Sequence, residues 1–180
     1  MSVAETVLVV AVLSIGASIL WSTVRYGMPP MPSLGRSRQV MLELVPEAPD
    51  GAIVDLGSGW GTLAWPFARR FPQTPVIGYE LSFFPWLFSV LLARLTRQRN
   101  LHFHRRDFRQ ADLSGAAVVL CYLAGEGMDS VARMLDSPGP ERALWVISHH
   151  FALPGHEPET VIRLNDLFAT PVYRYRINKQ

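Results

Sequence analysis

The sequence has almost none of the residues from which disulfide and thiolate metal frameworks are built. Cys121 is the single cysteine among 180 residues, so an internal disulfide and a cysteine-based metal cluster are both excluded. It ends the apolar run at residues 117–121, which favours a small buried side chain in a strand. His149 and His150 offer another route to a metal, but adjacent residues on a strand point to opposite faces. Together with His156 they indicate polarity in a loop or cleft, and we predict no metal site.

The sequence also lacks an excess of charge of either sign. It has 17 basic and 15 acidic residues, a formal net charge of +2, and Lys179 is its only lysine. It contains no block of like charges. Its densest basic stretch, a set of arginines between residues 94 and 109, is of the kind that can mark a nucleic-acid surface. A solvated helix end and loop explains that stretch more simply, and we predict no nucleic-acid partner.

Charge is absent altogether from residues 6–24. A helix of this length is roughly 28 Å long, close to the hydrocarbon thickness of a bilayer. Trp21 and Tyr26 lie near one end, where aromatic side chains collect at a membrane interface. A cleaved signal peptide would begin with basic residues, which are missing here, and a buried core helix would be shorter and one-sided. The interpretation we favour is a membrane anchor over residues 1–26.

The charges that flank this segment predict its orientation. Arg25, Arg36 and Arg38 follow it, and no basic residue precedes it. The positive-inside rule then predicts a single-pass membrane protein whose main domain faces the cytoplasm. A proline-rich linker and a pre-domain helix are expected over residues 27–49, and the compact domain over residues 50–180.

Apolar runs of strand length alternate with segments of helical periodicity beyond the linker. This alternation predicts an α/β fold with a Rossmann-like, mostly parallel sheet and helices on both faces. The last two strands leave no room for a helix between them, so one antiparallel strand is expected near the C-terminus. The predicted strands cover residues 52–56, 75–80, 101–104, 116–122, 143–148, 160–164 and 172–177. The predicted helices cover residues 37–45, 62–71, 85–97 and 128–135.

The loop after the first predicted strand has the sequence DLGSGWG at residues 55–61. In open α/β sheets ligands bind beyond the carboxyl ends of the strands, and glycines let the backbone approach a ligand closely. Thr62 stands where a dinucleotide fingerprint has its third glycine, which aims a helix at a pyrophosphate. The departure favours a ligand without phosphate. Asp55, which opens the loop, suits a ligand that carries a positive charge.

Two further acids follow the next two predicted strands. Glu80 follows the second strand, where a carboxylate can accept hydrogen bonds from both ribose hydroxyls. Asp107 follows the third, where it can accept from an adenine amine while Phe108 flanks the ring. Taken alone, Asp107 would more simply be a helix cap or a solvated loop acid. Three acids after three successive strands, with the glycine loop, predict a nucleoside site without phosphate.

Together these motifs make the chain resemble the class I S-adenosylmethionine-dependent methyltransferases. More narrowly, it resembles membrane-anchored protein-lysine methyltransferases related to those that modify the ATP synthase c subunit and the adenine nucleotide translocase. The resemblance is carried by the apolar N-terminal segment and by residues 30–32, 54–61, 78–81, 85–87, 106–108 and 154–158. It implies S-adenosylmethionine as the cofactor. It also implies a cofactor site made of Asp55, Gly57, Ser58, Gly59, Gly61, Glu80, Leu81, Asp107 and Phe108.

Two departures from that family concern the acceptor side. Trp60 stands where an acidic residue often follows the glycine-serine-glycine, and no Asn-Pro-Pro-Tyr type motif ends the fourth strand. The second departure argues against DNA methylation. Near the carboxyl end of that strand, Tyr122, Glu126 and Asp129 are candidates to orient the acceptor, and Glu126 is the first choice for steering a cationic amine.

The expected function is transfer of a methyl group from S-adenosylmethionine to lysine side chains of a membrane-associated protein, at a membrane surface. The N-terminal segment would be the membrane contact, and a protein would be the acceptor. Two alternatives remain open. One is a methyltransferase for a small or lipid-like acceptor, and the other is a cofactor-binding scaffold module without catalysis.

Overall fold

The computed structural model describes residues 2–10, 13, 16–17, 35–45, 49–136 and 143–178. Four helices follow the N-terminal segment: α1 (Gly35–Glu43), α2 (Ala64–Arg70), α3 (Phe83–Leu95) and α4 (Glu126–Asp136). The strands are β1 (Ala52–Leu56), β2 (Val76–Tyr79), β3 (Leu101–His104), β4 (Ala116–Cys121), β5 (Leu144–His149), β6 (Thr160–Arg163) and β7 (Pro171–Ile177). A short 3₁₀ helix covers Phe108–Gln110. The strands and helices predicted between residues 37 and 177 are found, with ends that shift by a few residues.

The seven strands form one sheet in the order β3-β2-β1-β4-β5-β7-β6. The first five are mutually parallel, whereas β7 runs antiparallel to both β5 and β6. The predicted Rossmann-like sheet is therefore confirmed. The antiparallel pairing has a simple cause, because the short link between β6 and β7 cannot hold the crossover helix that a parallel pair needs.

Two hydrophobic cores lie on the two faces of this sheet. Ile53, Val118 and Ile147 join α1 and α2 in one core, while their strand neighbours Val54 and Val119 join α4 in the other. Alternation along each strand sends successive side chains to opposite faces, so a strand buried on both sides is apolar throughout. The prediction of helices on both faces is confirmed, and the central strands are held rigidly where their carboxyl ends meet.

The predicted single-pass membrane location is wrong. Among the residues that the structure describes, no helix is long and apolar enough to cross a membrane. Near the N-terminus, residues 3–10 form a continuous stretch of described helix. Residues 13, 16 and 17 are also helical. The rest of the predicted span, and the predicted linker at residues 27–33, lie outside the described residues.

Candidate functional site

The order of the strands reverses at the boundary between β1 and β4, because the chain adds β2 and β3 on one side of β1 before it crosses to the other. Open α/β sheets bind ligands at this point, beyond the carboxyl ends of the strands. A cleft of about 600 Å³, a size that suits a small-molecule ligand, lies beyond the carboxyl ends of β2, β3 and β4. The residues that line it are Leu81, Arg105, Arg106, Asp107, Arg109, Gln110 and Glu126.

The glycine-rich turn after β1 needs glycine for both conformation and space. Gly57, Gly59 and Gly61 have φ values of +74°, +53° and +72°, in the left-handed region that side chains disfavour. A Cβ atom on Gly61 would lie 2.8 Å from Cζ of Phe103 and 3.1 Å from Oγ of Ser89. The turn is thus packed against β3 and α3, and no larger residue fits at Gly61 without displacing them.

We expect Gly61→Ala to lower the free energy of unfolding by about 2–4 kcal/mol. About 1 kcal/mol comes from the left-handed backbone, and the remainder from pushing the Phe103 ring and Ser89 aside. Urea denaturation of the purified variant measures it. Gly155→Ala is the matched control, since Gly155 has φ +74° but nothing within 4 Å of its Cβ position. Equal losses in the two variants would show that packing around Gly61 adds nothing.

Glu80 is tied to the glycine-rich turn by its carboxylate. The amide of Gly59 donates to Oε2 at 2.9 Å, and the amide of Ser82 donates to Oε1 at 2.6 Å. The side chain is only 9% exposed. Each carboxylate oxygen has more than one acceptor site, so both retain capacity for a further donor such as a sugar hydroxyl. The sequence predicted the position of Glu80 but not the two amides that orient it.

Asp55 lies buried in β1, with 2% of its surface exposed. Its pKa is raised to about 7, chiefly by burial and also by the nearby Glu80 carboxylate, while a hydrogen bond from the Ala64 amide acts in the opposite direction. Its Oδ2 atom has no hydrogen-bond partner within the described structure. Ser58 Oγ in the same turn is likewise buried without a partner. A buried acceptor left without a donor is costly unless a ligand supplies one.

Asp107 caps the 3₁₀ helix that follows β3. The Arg109 amide donates to its Oδ1 at 3.0 Å, and a guanidinium nitrogen of Arg109 lies 3.7 Å from its Oδ2. The capping role that the sequence left open for Asp107 is therefore real, and the residue also lines the cleft. Phe108 is half-buried against the core on the α4 side of the sheet. The cleft holds two of the predicted acids, Asp107 and Glu126, beside three arginines.

The two predicted acceptor-site residues lie in different surroundings. Glu126 begins α4 and lines the cleft together with Leu81. Tyr122 follows β4, and its ring centroid is 4.5 Å from that of His149 and 6.4 Å from that of Phe151. The sequence indicated that His149 belongs to a polar loop or cleft, but it did not predict the contact of His149 with Tyr122. The sequence did contain a signal for this contact, because His149 follows the fifth predicted strand as Tyr122 ends the fourth, and the ends of neighbouring parallel strands lie close together.

His149 and His150 do not share a metal site. Their rings are 6.4 Å apart, and His149 is buried while His150 is exposed. Over the described part of the chain, no group of three or more histidine, cysteine, aspartate or glutamate residues is placed to hold a metal ion. Burial raises the pKa of the Cys121 thiol, which keeps this cysteine protonated and inert.

The sheet order, the glycine-rich turn after β1 and the acids that follow β2 and β3 define a class I S-adenosylmethionine-dependent methyltransferase. The chain belongs to the family described as the ANTKMT methyltransferase domain, whose model matches residues 55–160. That match contains the turn, both acids and the ends of β4 and β5. Methyl transfer and the cofactor expected from the sequence are thereby confirmed.

Known proteins of several substrate classes resemble the chain. An RNA methyltransferase from Salinibacter ruber, solved in complex with S-adenosyl-L-homocysteine, has a TM-score of 0.74 and 25% identity, covering 83% of this chain and 95% of that one. The putative methyltransferase yhhF from Escherichia coli has a TM-score of 0.67 at 11% identity, covering 83% and 89%, which shows the fold alone.

A curated relative matches a shorter segment. It is a trans-aconitate 2-methyltransferase from Deinococcus radiodurans, 37% identical over 75 residues, which are 41% of this chain and 26% of that protein. The match thus spans about a quarter of the length of that relative. RNA and trans-aconitate are the acceptors named for two of these proteins, so what the three names share is methyl transfer.

Proposed function

We propose that the protein transfers a methyl group from S-adenosylmethionine to the side-chain amine of lysine in an acceptor protein. The observation that carries this proposal is the match to the ANTKMT methyltransferase domain over residues 55–160, which agrees with the lysine methyltransferase group that the sequence resembles. The family match covers the cofactor side and the ends of β4 and β5 together. Glu126, an acid in the cleft, supports a cationic acceptor.

The proposed cofactor site consists of the glycine-rich turn and the acids around it. Glu80 would accept hydrogen bonds from the ribose hydroxyls, since its carboxylate is already oriented by Gly59 and Ser82. Asp107 and Phe108 would hold the adenine, with Leu81 against it in the cleft. The buried acceptor on Asp55 would receive the cationic ammonium of the cofactor's methionine part. The full set is Asp55, Gly57, Ser58, Gly59, Gly61, Glu80, Leu81, Asp107 and Phe108.

Bound S-adenosylmethionine supplies a methyl group that is activated by its positively charged sulfur. The chain's own residues have to align the acceptor, exclude water and favour the neutral amine. A free lysine amine has a pKa near 10.4, so it must lose a proton to solvent before it reacts. We assign Tyr122 to orienting the amine and Glu126 to attracting the cationic form into the cleft.

Transfer of label from S-adenosylmethionine tests the acceptor class. Purified protein is incubated with methyl-labelled cofactor and extract, and the label is followed into protein, RNA and low-mass fractions. We expect label in protein, recovered as methyllysine after hydrolysis, and none with a Glu80→Ala variant. Label that enters only RNA or only small molecules would overturn lysine as the acceptor.

We further expect Glu126→Gln to reduce kcat/KM for the labelled protein by about tenfold, because it removes one attractive charge from the cleft. The cofactor Kd should stay within about twofold of the wild-type value, since Glu126 is assigned to the acceptor. Glu157→Gln is the matched control at an exposed position. An unchanged kcat/KM in Glu126→Gln would remove Glu126 from the acceptor site.

A second candidate is methyl transfer to a small anionic acceptor. The observation in its favour is that Arg105, Arg106 and Arg109 line the cleft, where guanidinium groups can bind carboxylates in pairs of hydrogen bonds. The low-mass fraction of the labelling experiment detects this outcome. Loss of that label in an Arg106→Ala variant, with cofactor binding retained, would support the anionic acceptor.

A further inference from the structure

Tyr122, His149 and Phe151 form an aromatic corner at the carboxyl ends of β4 and β5. Cys121, the last residue of β4, pairs with Ser148 of β5, so the next residue on each strand comes side by side. The Tyr122 and His149 rings are 4.5 Å apart and inclined by 59°, and the Phe151 ring lies 6.4 Å from that of Tyr122. Because the Tyr122 and His149 rings are inclined to each other, their faces meet at an angle, and we call this place the aromatic corner.

We propose that this corner receives the acceptor's amine, and that the imidazole of His149 accepts a hydrogen bond from it. This inference rests on the proposed function and names a residue that the sequence did not assign to the reaction. The faces of Tyr122 and Phe151 attract the cationic form of the amine through their π electrons. By accepting a hydrogen bond, the His149 nitrogen fixes the direction of one N–H bond of the acceptor amine. The direction of the lone pair on the amine nitrogen is then fixed as well.

The buried ring of His149 has a nitrogen with no partner. His149 is 6% exposed, and within the described structure its Nδ1 atom makes no hydrogen bond. Burial lowers its pKa to about 4, and His150 acts in the same direction, whereas Asp166 opposes them. The imidazole is therefore neutral at physiological pH, so it does not repel a cationic amine and it offers one acceptor nitrogen. An acceptor amine can supply the missing donor.

The corner adjoins the cofactor turn through Leu123. A Cβ atom on Gly57 would lie 2.8 Å from the side chain of Leu123, the residue directly after Tyr122. The backbone turn that presents the cofactor is therefore packed against the same segment that holds Tyr122. The proposed amine position thus lies on a segment that contacts the turn in which the cofactor is proposed to bind, and in-line transfer requires the two ligands to be close.

Backbone contacts hold the corner in place. His150 has φ +72°, an unfavourable value for a residue with a side chain, and its amide donates to the Pro171 carbonyl at 2.8 Å. The Ser148 hydroxyl donates to the Phe151 carbonyl. These contacts turn the chain sharply after β5 and bring Phe151 back toward Tyr122. Because the three side chains of the corner are already held in place, little side-chain entropy is lost when the acceptor binds.

In the reaction, the acceptor amine first releases a proton to solvent. Its nitrogen then forms a bond to the methyl carbon while the bond from carbon to sulfur breaks, and sulfur keeps the electron pair, which yields S-adenosylhomocysteine. The product nitrogen carries the positive charge. His149 keeps its own protonation state throughout, because a group with so low a pKa does not take a proton from lysine.

Two cofactor analogues test the corner without knowledge of the acceptor. In both, nitrogen replaces the sulfur, and it carries either an aminoethyl or a propyl group of nearly the same size. The aminoethyl group takes the place of the transferred methyl group, so its amine extends toward the proposed position of the acceptor amine. Calorimetry should show that the full-length protein binds the aminoethyl analogue about tenfold more tightly than the propyl analogue. Equal affinities, or tighter binding of the propyl analogue, would overturn the proposal.

Variants then assign the preference to particular side chains. We expect His149→Phe and Tyr122→Ala each to bring the affinity ratio close to one, while His149→Gln, which keeps an acceptor oxygen, retains part of it. His102→Phe, at an exposed position in β3, is the matched control and should leave the ratio unchanged. A ratio that persists in both His149→Phe and Tyr122→Ala places the amine elsewhere and overturns the assignment.

The same measurements separate failure of this inference from failure of the proposed function. If label from the cofactor enters RNA or small molecules while the aminoethyl preference depends on His149, lysine is wrong but the amine site stands. If label enters lysine while the preference is independent of His149 and Tyr122, the corner is wrong and the function stands. Binding of S-adenosylhomocysteine detects loss of folding. The Kd for this ligand in His149→Phe and in Tyr122→Ala should stay within about twofold of the wild-type value.

Discussion

Glu80→Ala is expected to weaken binding of S-adenosylmethionine by about 100-fold or more. Two sugar hydroxyls that donate to a carboxylate contribute at least ~3 kcal/mol together, which corresponds to that factor. The substitution also removes the acceptor for the amides of Gly59 and Ser82, so the glycine-rich turn keeps its backbone hydrogen bond from Ser58 to Tyr79 but loses the one from Gly59 to Glu80. Glu80→Ala therefore removes the hydrogen bonds to the ribose and also changes the shape of the cofactor site.

Calorimetric titration with S-adenosylmethionine and S-adenosylhomocysteine measures this loss. Both ligands contain the same ribose, so both affinities should fall by a similar factor. Glu157→Ala, at an exposed position, is the control and should bind like the wild type. An affinity within about threefold of wild type in Glu80→Ala, with the fold intact by circular dichroism, would contradict the proposed ribose contact.

Asp55→Asn is expected to stabilise the cofactor-free protein, and to do so more at high pH than at low pH. The folded-state pKa of Asp55, about 7, lies above its usual value of 3.8, so the folded protein binds more protons than the unfolded chain between these values. Stability contributed by this group therefore falls as pH rises through that window. Above it, the buried charge costs on the order of 4 kcal/mol, which asparagine avoids.

The measurement is the difference in unfolding free energy between Asp55→Asn and wild type, by urea denaturation at about pH 5 and about pH 8. We expect this difference to grow by about 3 kcal/mol between the two. The wild-type curve alone is not diagnostic, because the lowered pKa of His149 adds stability as pH rises from about 4 to 6.5. Taking the difference cancels the contribution of His149.

The same substitution should weaken cofactor binding, because asparagine has no negative charge for a cationic ligand. Asp55 would then lower the unfolding free energy of the cofactor-free protein while it strengthens cofactor binding. Asp50→Asn, close in sequence but outside the buried strand, is the control for a change of net charge. A stability difference that does not vary with pH would mean that Asp55 titrates normally in the folded protein.

The order and nature of the secondary structure were readable from the sequence because the pattern of apolar residues is local. The run from Ala52 to Leu56 is apolar except at its acid, as a strand buried on both faces must be. The short link after β6 predicted an antiparallel strand in the same way. The sequence also predicted the glycine-rich turn, since φ values above zero at Gly57, Gly59 and Gly61 require that residue.

Other features depend on contacts between distant segments. An uncharged and mostly apolar stretch at residues 6–24 predicted a membrane span, yet none of the helices that the structure describes can cross a bilayer. The orientation of the Glu80 carboxylate does depend on such a contact, because the amide that donates to it belongs to Gly59, 21 positions earlier in the chain.

The sequence by itself determined the class of protein, because sheet strands, a glycine-rich turn and the acids that follow the strands are encoded within short segments. Only the tertiary structure decided which of these groups are buried, paired or left without a partner. The sequence does not show how deeply Asp55 and His149 are buried, whereas in the folded protein packing removes both from water, which raises the pKa of Asp55 and lowers that of His149. Burial is a property of every segment that covers a residue, so it arises only when β1, β4 and β5 lie side by side.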